Sequence, residues 1–399
     1  MDFLEKISLY LHIPFCTYRC SYCDFNTYTT LGDIQSEYAD ALAAEIAYVG
    51  QLGMEGGKKK TVKTIFFGGG TPSVMSHADL GKILESVAQH FNIESDAEIT
   101  LETNPETIDL AYMQGVKSLG VNRISFGAQS ALTEDLAILG RQHSFDTVVA
   151  GVDLARRSGI DNLSIDLIYG VPGQTVASIE QTLKLVLPLA LPHLSLYCLT
   201  VEPGTPLHRE VNSGRIAHPD PDIAADQYDV VSERLEQAGL GHYEISNWAA
   251  EGLESRHNLA YWYNAEYLGL GAGAHGHAGG YRYHVVRRPR TYIRRMSEFD
   301  RENPSVYPLT PTVAESHPID LEDEIADTII MGLRLLKEGL NEDRFGERFG
   351  RSLDDIHGET VKELIDLKLL KRKNRTTGRT LLLTEKGRFI SNQVFHRFI

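Results

Sequence analysis

The 399-residue sequence predicts an α/β protein: a partial (β/α)6 barrel followed by a small C-terminal winged-helix-like α+β domain. Three observations predict it. Six short apolar runs between Ser8 and Thr200 are each closed by Gly, Pro or a polar break and followed by an amphipathic stretch. Parallel strands need long crossovers, and amphipathic helices supply them. Cysteine, glycine and polar residues fall at or just past the strand ends, as at the mouth of a (β/α) barrel. From about Tyr281 this alternation stops.

The strands are expected at 9–13, 63–67, 98–102, 123–126, 163–168 and 194–199. Between them, Tyr38, Leu42, Ile46 and Val49 share one helical face, and Leu80, Ile83, Leu84, Val87 and Phe91 share another. Six units instead of the usual eight suggest a barrel open on one side, with room for a large ligand. The barrel is expected over 1–280, and a linker over 281–320, where Pro304, Pro308, Pro311 and Pro318 punctuate a patternless stretch. The small domain, 321–399, reads as helices over 322–336, 341–349 and 359–370, a strand at 379–384 and a last helix from Glu385. It is expected to pack against the barrel without touching nucleic acid.

Composition narrows the function. Hydrophobic residues make up 42% and charged residues 23%, the balance of a globular chain. The net charge of −15 repels polyphosphate, although basic runs stand at 58–60, 287–295 and 371–375. Asp2, Glu5 and Lys6 interrupt the N-terminus where a signal peptide has its apolar segment, and no apolar window is long enough to span a bilayer, so a cytoplasmic location is expected. Three of the four cysteines, Cys16, Cys20 and Cys23, lie within eight residues. In a long chain such a cluster reads as metal-binding or catalytic and not as a disulfide framework.

The spacing is C-x3-C-x2-C on a loop leaving the first strand. Structural zinc sites normally take four protein ligands. A 4Fe-4S cluster held by three cysteines leaves one iron open to the amine and carboxylate of an amino acid. The motif and its Tyr10-x-His12-Ile13-Pro14-Phe15-Cys16 lead-in resemble the radical S-adenosyl-L-methionine (SAM) superfamily, and nearly the whole chain resembles its coproporphyrinogen III oxidase-like group. The resemblance implies a 4Fe-4S cluster on Cys16, Cys20 and Cys23 and a SAM molecule on that cluster. Its SAM contacts carry over to Tyr10, to Gly69, Gly70 and Thr71 of the glycine-rich segment, and to Glu102, Gln129, Arg141 and Asp166. The chemistry suits them: a carboxylate accepts from ribose hydroxyls, and a guanidinium forks onto a carboxylate.

Within the group, the decarboxylating oxidases carry a further cysteine where this chain has Phe25, and a long extension ahead of the tyrosine. His257-Asn258-Leu259-Ala260-Tyr261-Trp262 is similar instead to the H-N-x-x-Y-W motif of the haem-chaperone (HemW) branch. That resemblance implies haem as cargo, delivery to haemoprotein acceptors, possible homodimers, and membrane contact only through an acceptor. His257 is then a candidate axial ligand, with Tyr261 and Trp262 against the porphyrin and His275 and His277 as alternative ligands. A porphyrinogen-decarboxylating radical enzyme is the competing reading. An iron–sulfur sensor that binds DNA through its C-terminal domain is the third.

Overall fold

The computed structural model describes residues 6–299, 305–376 and 378–399. Asp2, Glu5 and the linker residue Pro304 lie outside the described residues. The chain runs β1 (Ile7–Ile13), α1 (Gln35–Leu52), β2 (Thr61–Gly69), α2 (His77–His90), β3 (Asn92–Thr103), α3 (Leu110–Ser118) and β4 (Arg123–Gln129). It continues with α4 (Thr133–Leu139), α5 (Phe145–Arg157), β5 (Asn162–Tyr169), α6 (Val176–Val186) and β6 (His193–Cys198). These six strands lie parallel in chain order, each paired with the next. Their apolar runs are buried because helices cover the sheet, which is why they read as continuous and not alternating. Tyr38, Leu42, Ile46 and Val49 of α1 and Leu80, Ile83, Leu84 and Val87 of α2 are all buried. The side chain of Ser76 caps α2 by accepting from the Asp79 N–H, a contact typically worth about 1 kcal/mol.

After β6 come α7 (Pro206–Asn212), α8 (Pro221–Gln237), the short strands β7 (Gly241–Glu244) and β8 (Asn247–Ala249), and α9 (Arg256–Trp262). Then follow β9 (Tyr267–Leu270), β10 (His275–Ala278), β11 (Tyr281–Val285), α10 (Pro289–Glu298) and β12 (Val313–Pro318). The strands among them join β1 to β6 in one twelve-stranded sheet of order β12-β11-β10-β9-β1-β2-β3-β4-β5-β6-β8-β7. The partial barrel is therefore extended at both edges. The described residues of 281–320, expected as a linker, form ordered elements: β11 and β12 form an antiparallel pair, and α10 packs Tyr292 and Met296 into the barrel core. Pro318 misled because proline is tolerated on an edge strand, which β12 is.

One buried carboxylate ties this extension down. Glu45 of α1 accepts from the Gly271 N–H at 2.9 Å, Tyr292 Oη at 2.7 Å, Thr310 Oγ1 at 2.7 Å, and Thr312 Oγ1. Burial raises its pKa, while the same hydrogen bonds oppose the rise.

The C-terminal unit is α11 (Leu321–Leu333), β13 (Leu340–Asn341), α12 (Glu342–Phe349), α13 (Leu353–Asp366), β14 (Leu370–Arg375), β15 (Gly378–Leu383), α14 (Glu385–Phe389) and α15 (Ser391–Phe395). It has its own apolar core around Ile329, Leu333, Phe345, Val361, Leu381 and Val394, and the β14–β15 hairpin forms the wing. The helix expected at 359–370 starts earlier, at a Ser352–Asp355 capping box, and yields to a strand at Leu370. Arg372 and Arg379 of the wing pair with Glu342 and Asp354, so these two charges are matched within the domain. Arg348 of α12 reaches the carbonyls of Tyr263 and Asn264 and the carboxylate of Glu324, joining the unit to the barrel. Among the described residues no helix is long and apolar enough to cross a membrane.

Replacing Glu45 by Ala strands three donors in the interior, because the Thr310 and Thr312 hydroxyls, 2.7 Å apart, can still bond each other. The Glu45→Ala variant is expected to lose about 3 kcal/mol or more of unfolding free energy in a urea titration, and Glu45→Gln, which keeps an acceptor oxygen, to lose less.

Candidate functional site

The C-terminal ends of β1 to β5 converge on the loop that carries the three cysteines. This loop is pinned at several points. The Cys16 N–H donates to the Tyr28 carbonyl at 3.1 Å, the Ser21 N–H to the Leu139 carbonyl at 3.1 Å, and the Leu207 N–H to the Ser21 carbonyl at 2.8 Å. The glycine-rich end of β2 lies against the loop's base, with the Gly70 N–H on the Ile13 carbonyl at 2.8 Å and the Thr71 N–H on the Phe15 carbonyl at 2.7 Å. Only glycine allows that approach. A Cβ on Gly70 would stand 2.6 Å from the Phe15 carbonyl oxygen, and Gly69, at φ +108°, would drive one to 2.3 Å from the His12 ring.

Cys16, Cys23, Gly69, Gly70, Thr71, Glu102, Gln129, Arg141 and Asp166 all line a single cavity of about 140 Å³. Cys20 is buried beside it and accepts from Arg141 Nη1 at 3.2 Å, while Thr71 Oγ1 donates to Cys16 Sγ at 3.4 Å. Arg141 is fixed by the Gly127 carbonyl at 2.7 Å and Asn104 Oδ1 at 3.0 Å, and its buried Nε has no partner. Asn104 escaped notice as an Asn-Pro turn residue, although it sits two positions past Glu102. Among the described residues no three His, Cys, Asp or Glu side chains form a single-ion site. A cubane cluster spreads its thiolates over separate corners.

Electrostatics favour a cationic guest. Burial pushes the Cys16 thiol up, and burial together with the neighbouring sulfurs lifts Cys23 to about 11. Glu102 accepts from the Gly69 N–H at 3.1 Å, and burial reinforced by the Asp166 charge raises it to about 8. Asp166, held by Ser125 Oγ at 3.1 Å, is raised by burial as well. The partnerless guanidinium nitrogen, the glycine cradle and the thiol triplet together suit a 4Fe-4S cluster with a nucleotide above it.

A second cavity, of about 540 Å³, adjoins the first through Phe25, Gly69 and Glu102. Tyr10 lines this one instead, with Tyr261, Tyr267, His275 and His284. The H-N-x-x-Y-W segment forms α9 and does not present one haem-binding face. His257 is 1% exposed. Its Nδ1 is 2.8 Å from Thr64 Oγ1, its Nε2 is 2.8 Å from Tyr261 Oη, and burial lowers its pKa to about 3. Neither nitrogen faces a cavity. Tyr261 faces the second cavity, whereas Trp262 turns to a crevice against the C-terminal unit, beneath the Arg334 guanidinium at 4.4 Å. His277 is buried and meets Glu324 at 3.5 Å.

Parallel strands that deliver three loop cysteines and a glycine-rich segment to one mouth define a radical SAM protein. Residues 10–186 match the radical SAM superfamily, and 319–390 match the HemN C-terminal domain. The chain is 36% identical to the heme chaperone HemW of Bacillus subtilis over 98% of this chain and 99% of that one. It is 39% identical to the HemW of Mycobacterium tuberculosis over 72% and 74%. It is also 33% identical to the mitochondrial radical S-adenosyl methionine domain-containing protein 1 of Danio rerio over 96% and 83%. The coproporphyrinogen III oxidase HemN of Escherichia coli has the same fold, with a TM-score of 0.81 at 23% identity over 99% of this chain and 90% of that one. The chain belongs to the HemW family of the radical SAM superfamily. Membership of that superfamily implies a 4Fe-4S cluster and SAM.

The Glu102 shift sets a pH dependence. Its folded pKa, about 8, exceeds the ordinary 4.5, so the folded chain holds a proton that the unfolded chain has released between those values. Stability is then full below the lower value and is lost as pH rises through the upper one. The melting temperature of cofactor-free protein is expected to fall between about pH 5 and about pH 8 through this group, and Glu102→Gln to flatten the slope.

Proposed function

We propose that this protein is a haem chaperone that carries a SAM-ligated 4Fe-4S cluster, binds haem as cargo and passes it to haemoprotein acceptors. The observation that carries this reading is the near end-to-end similarity to heme chaperone HemW of Bacillus subtilis. Phe25 supports it, standing where the resemblance places a further cysteine in the decarboxylating oxidases. Cys16, Cys20 and Cys23 would hold the cluster, which when bound supplies an electron to SAM.

The chain's own groups do the rest. Arg141 neutralises the Cys20 sulfur and fixes the loop. Gly69 and Gly70 let backbone approach the amino-acid end of SAM, while Glu102 and Asp166 accept from its hydroxyls; Gln129, at φ +67°, turns its amide into the same space. Tyr261 provides an aromatic wall in the larger cavity, and His257 holds that wall in place through its 2.8 Å contact. Residues 1–280 carry the cofactor chemistry, with 321–399 a packing unit. The chaperone works in the cytoplasm, alone or as a homodimer, and meets a membrane only through an acceptor.

Anaerobic reconstitution followed by haem titration tests the reading. The wild type is expected to show a stoichiometric Soret shift, and no protoporphyrinogen when incubated with coproporphyrinogen III, SAM and a reductant. Protoporphyrinogen formation, or the absence of a shift, would overturn it.

A further inference from the structure

We propose that Arg123, a guanidinium buried in the barrel core beneath the cofactor cavity, is a positioning residue for SAM: its charge favours the anionic forms of Glu102 and Asp166 that accept from the ribose hydroxyls. This deepens, and rests on, the SAM-binding part of the reading above.

Barrels built from parallel strands usually fill their centre with bulky branched apolar side chains. This core is polar instead. Thr64, Glu98, Thr100, Arg123, Ser164 and His193, on β2 to β6, are all buried. Arg123 stands two residues before Ser125 on β4, so the two side chains share a face of the sheet, and Ser125 lines the cofactor cavity. Register pairs Arg123 with Thr100 and Ser125 with Glu102, which sets Arg123 one step below Glu102. Ser125 Oγ in turn donates to Asp166 at 3.1 Å. Arg123 is 2% exposed, and its Nε has no hydrogen-bond partner. A guanidinium kept out of water and not fully paired costs several kcal/mol, so its field must be answered by charges close by.

The carboxylates above it give that answer, because the other groups at its level are neutral or engaged. His193 has Nδ1 2.8 Å from Ser164 Oγ and Nε2 2.9 Å from Tyr243 Oη, and His257 is held in the same way by Thr64 and Tyr261. Burial, followed by the Arg123 charge, lowers both imidazoles far below neutrality. Glu98 is engaged by the Arg256 and His257 N–H groups at 3.1 and 2.9 Å. Tyr10, Tyr22, Tyr197 and Tyr261, which face Glu102 or Asp166 from β1, the cysteine loop, β6 and α9, are phenols that burial keeps protonated. Arg141 is turned to the Cys20 sulfur. Arginine does not shed its proton, so Arg123 supplies a permanent positive charge. Burial raises both carboxylates, the Asp166 charge adds to the rise of Glu102, and Arg123 pulls the two of them down. A carboxylate that has lost its proton accepts with both oxygens, as a pair of ribose hydroxyls requires.

Calorimetric titration of the anaerobically reconstituted full-length chain with SAM, repeated at a series of pH values, tests the assignment. In wild type the affinity is expected to rise with pH and to level off above about 8, where Glu102 has lost its proton. Arg123→Met is expected to move that midpoint up by about one pH unit and to bind SAM about tenfold more weakly at neutral pH, with the gap closing once both carboxylates are ionised. Arg123→Gln, which keeps hydrogen-bonding capacity without charge, is expected to follow Arg123→Met, and Arg123→Lys to stay close to wild type. Retention of cluster absorbance verifies that each variant folds. An unmoved midpoint, an equal loss of affinity at every pH, or a midpoint displaced as far in Arg123→Lys as in Arg123→Met would overturn the assignment and leave SAM binding standing. A wild type that binds no SAM would remove the cofactor part of the reading as well.

Discussion

Three sulfurs on eight residues of one loop cannot all be thiolates unless something positive stands among them. That constraint governs the mouth of the barrel. Burial and mutual repulsion raise the Cys23 thiol, and Arg141, clamped by a backbone carbonyl and by Asn104, brings a fixed positive charge to Cys20. One guanidinium cannot offset three thiolates, which fits the 4Fe-4S cluster that superfamily membership implies. Its rigidity follows from the contacts with Tyr28, Leu139 and Leu207, each from a different part of the chain. A cluster site needs its ligands in place before metal arrives, and the surrounding strands fix where those contacts fall.

The widened sheet extends that order outward. Rings of Tyr10, Phe66, His257, Tyr261, Tyr267 and His277 follow one another at centroid separations of 4.6 to 6.2 Å, from the mouth toward the C-terminal unit. His257 lies in the middle of this series, stacked on Phe66 at 4.9 Å and braced by Thr64. The H-N-x-x-Y-W segment thus builds a wall. It places Tyr261 on one cavity and Trp262 on another, with the imidazole buried between them.

Much of this was legible in the sequence. Strand order, the cysteine loop and the strand-end residues followed from apolar runs and spacing, because parallel strands with buried faces and loops at one end leave strong local signatures. Tertiary pairing was not legible. Strands β7 to β12 are short and polar enough to pass for loops, and they form only because β1 and β6 offer unpaired edges. The basic run at 371–375 gave no strand signal, and it folds as one because Leu370 is buried and Glu342 and Asp354 match Arg372. The surroundings of His257 were not legible for a related reason. A histidine beside Tyr and Trp looks the same in sequence whether its nitrogens face a ligand or a threonine and a tyrosine hydroxyl, and only packing decides.

Delivery of a cargo imposes a demand that catalysis does not. An enzyme that generates radicals gains by sealing its substrate away from water, whereas a carrier must hold its guest and then release it to a competing ligand. The two cavities divide these needs. The smaller is walled by glycine backbone, buried carboxylates and the cysteine loop, a setting that excludes solvent from reactive chemistry. The larger is rimmed by Phe25, His275 and Arg287, all exposed to solvent. A ligand bond made from the rim exchanges more readily than one made from the core, because breaking it leaves no buried polar group without a partner.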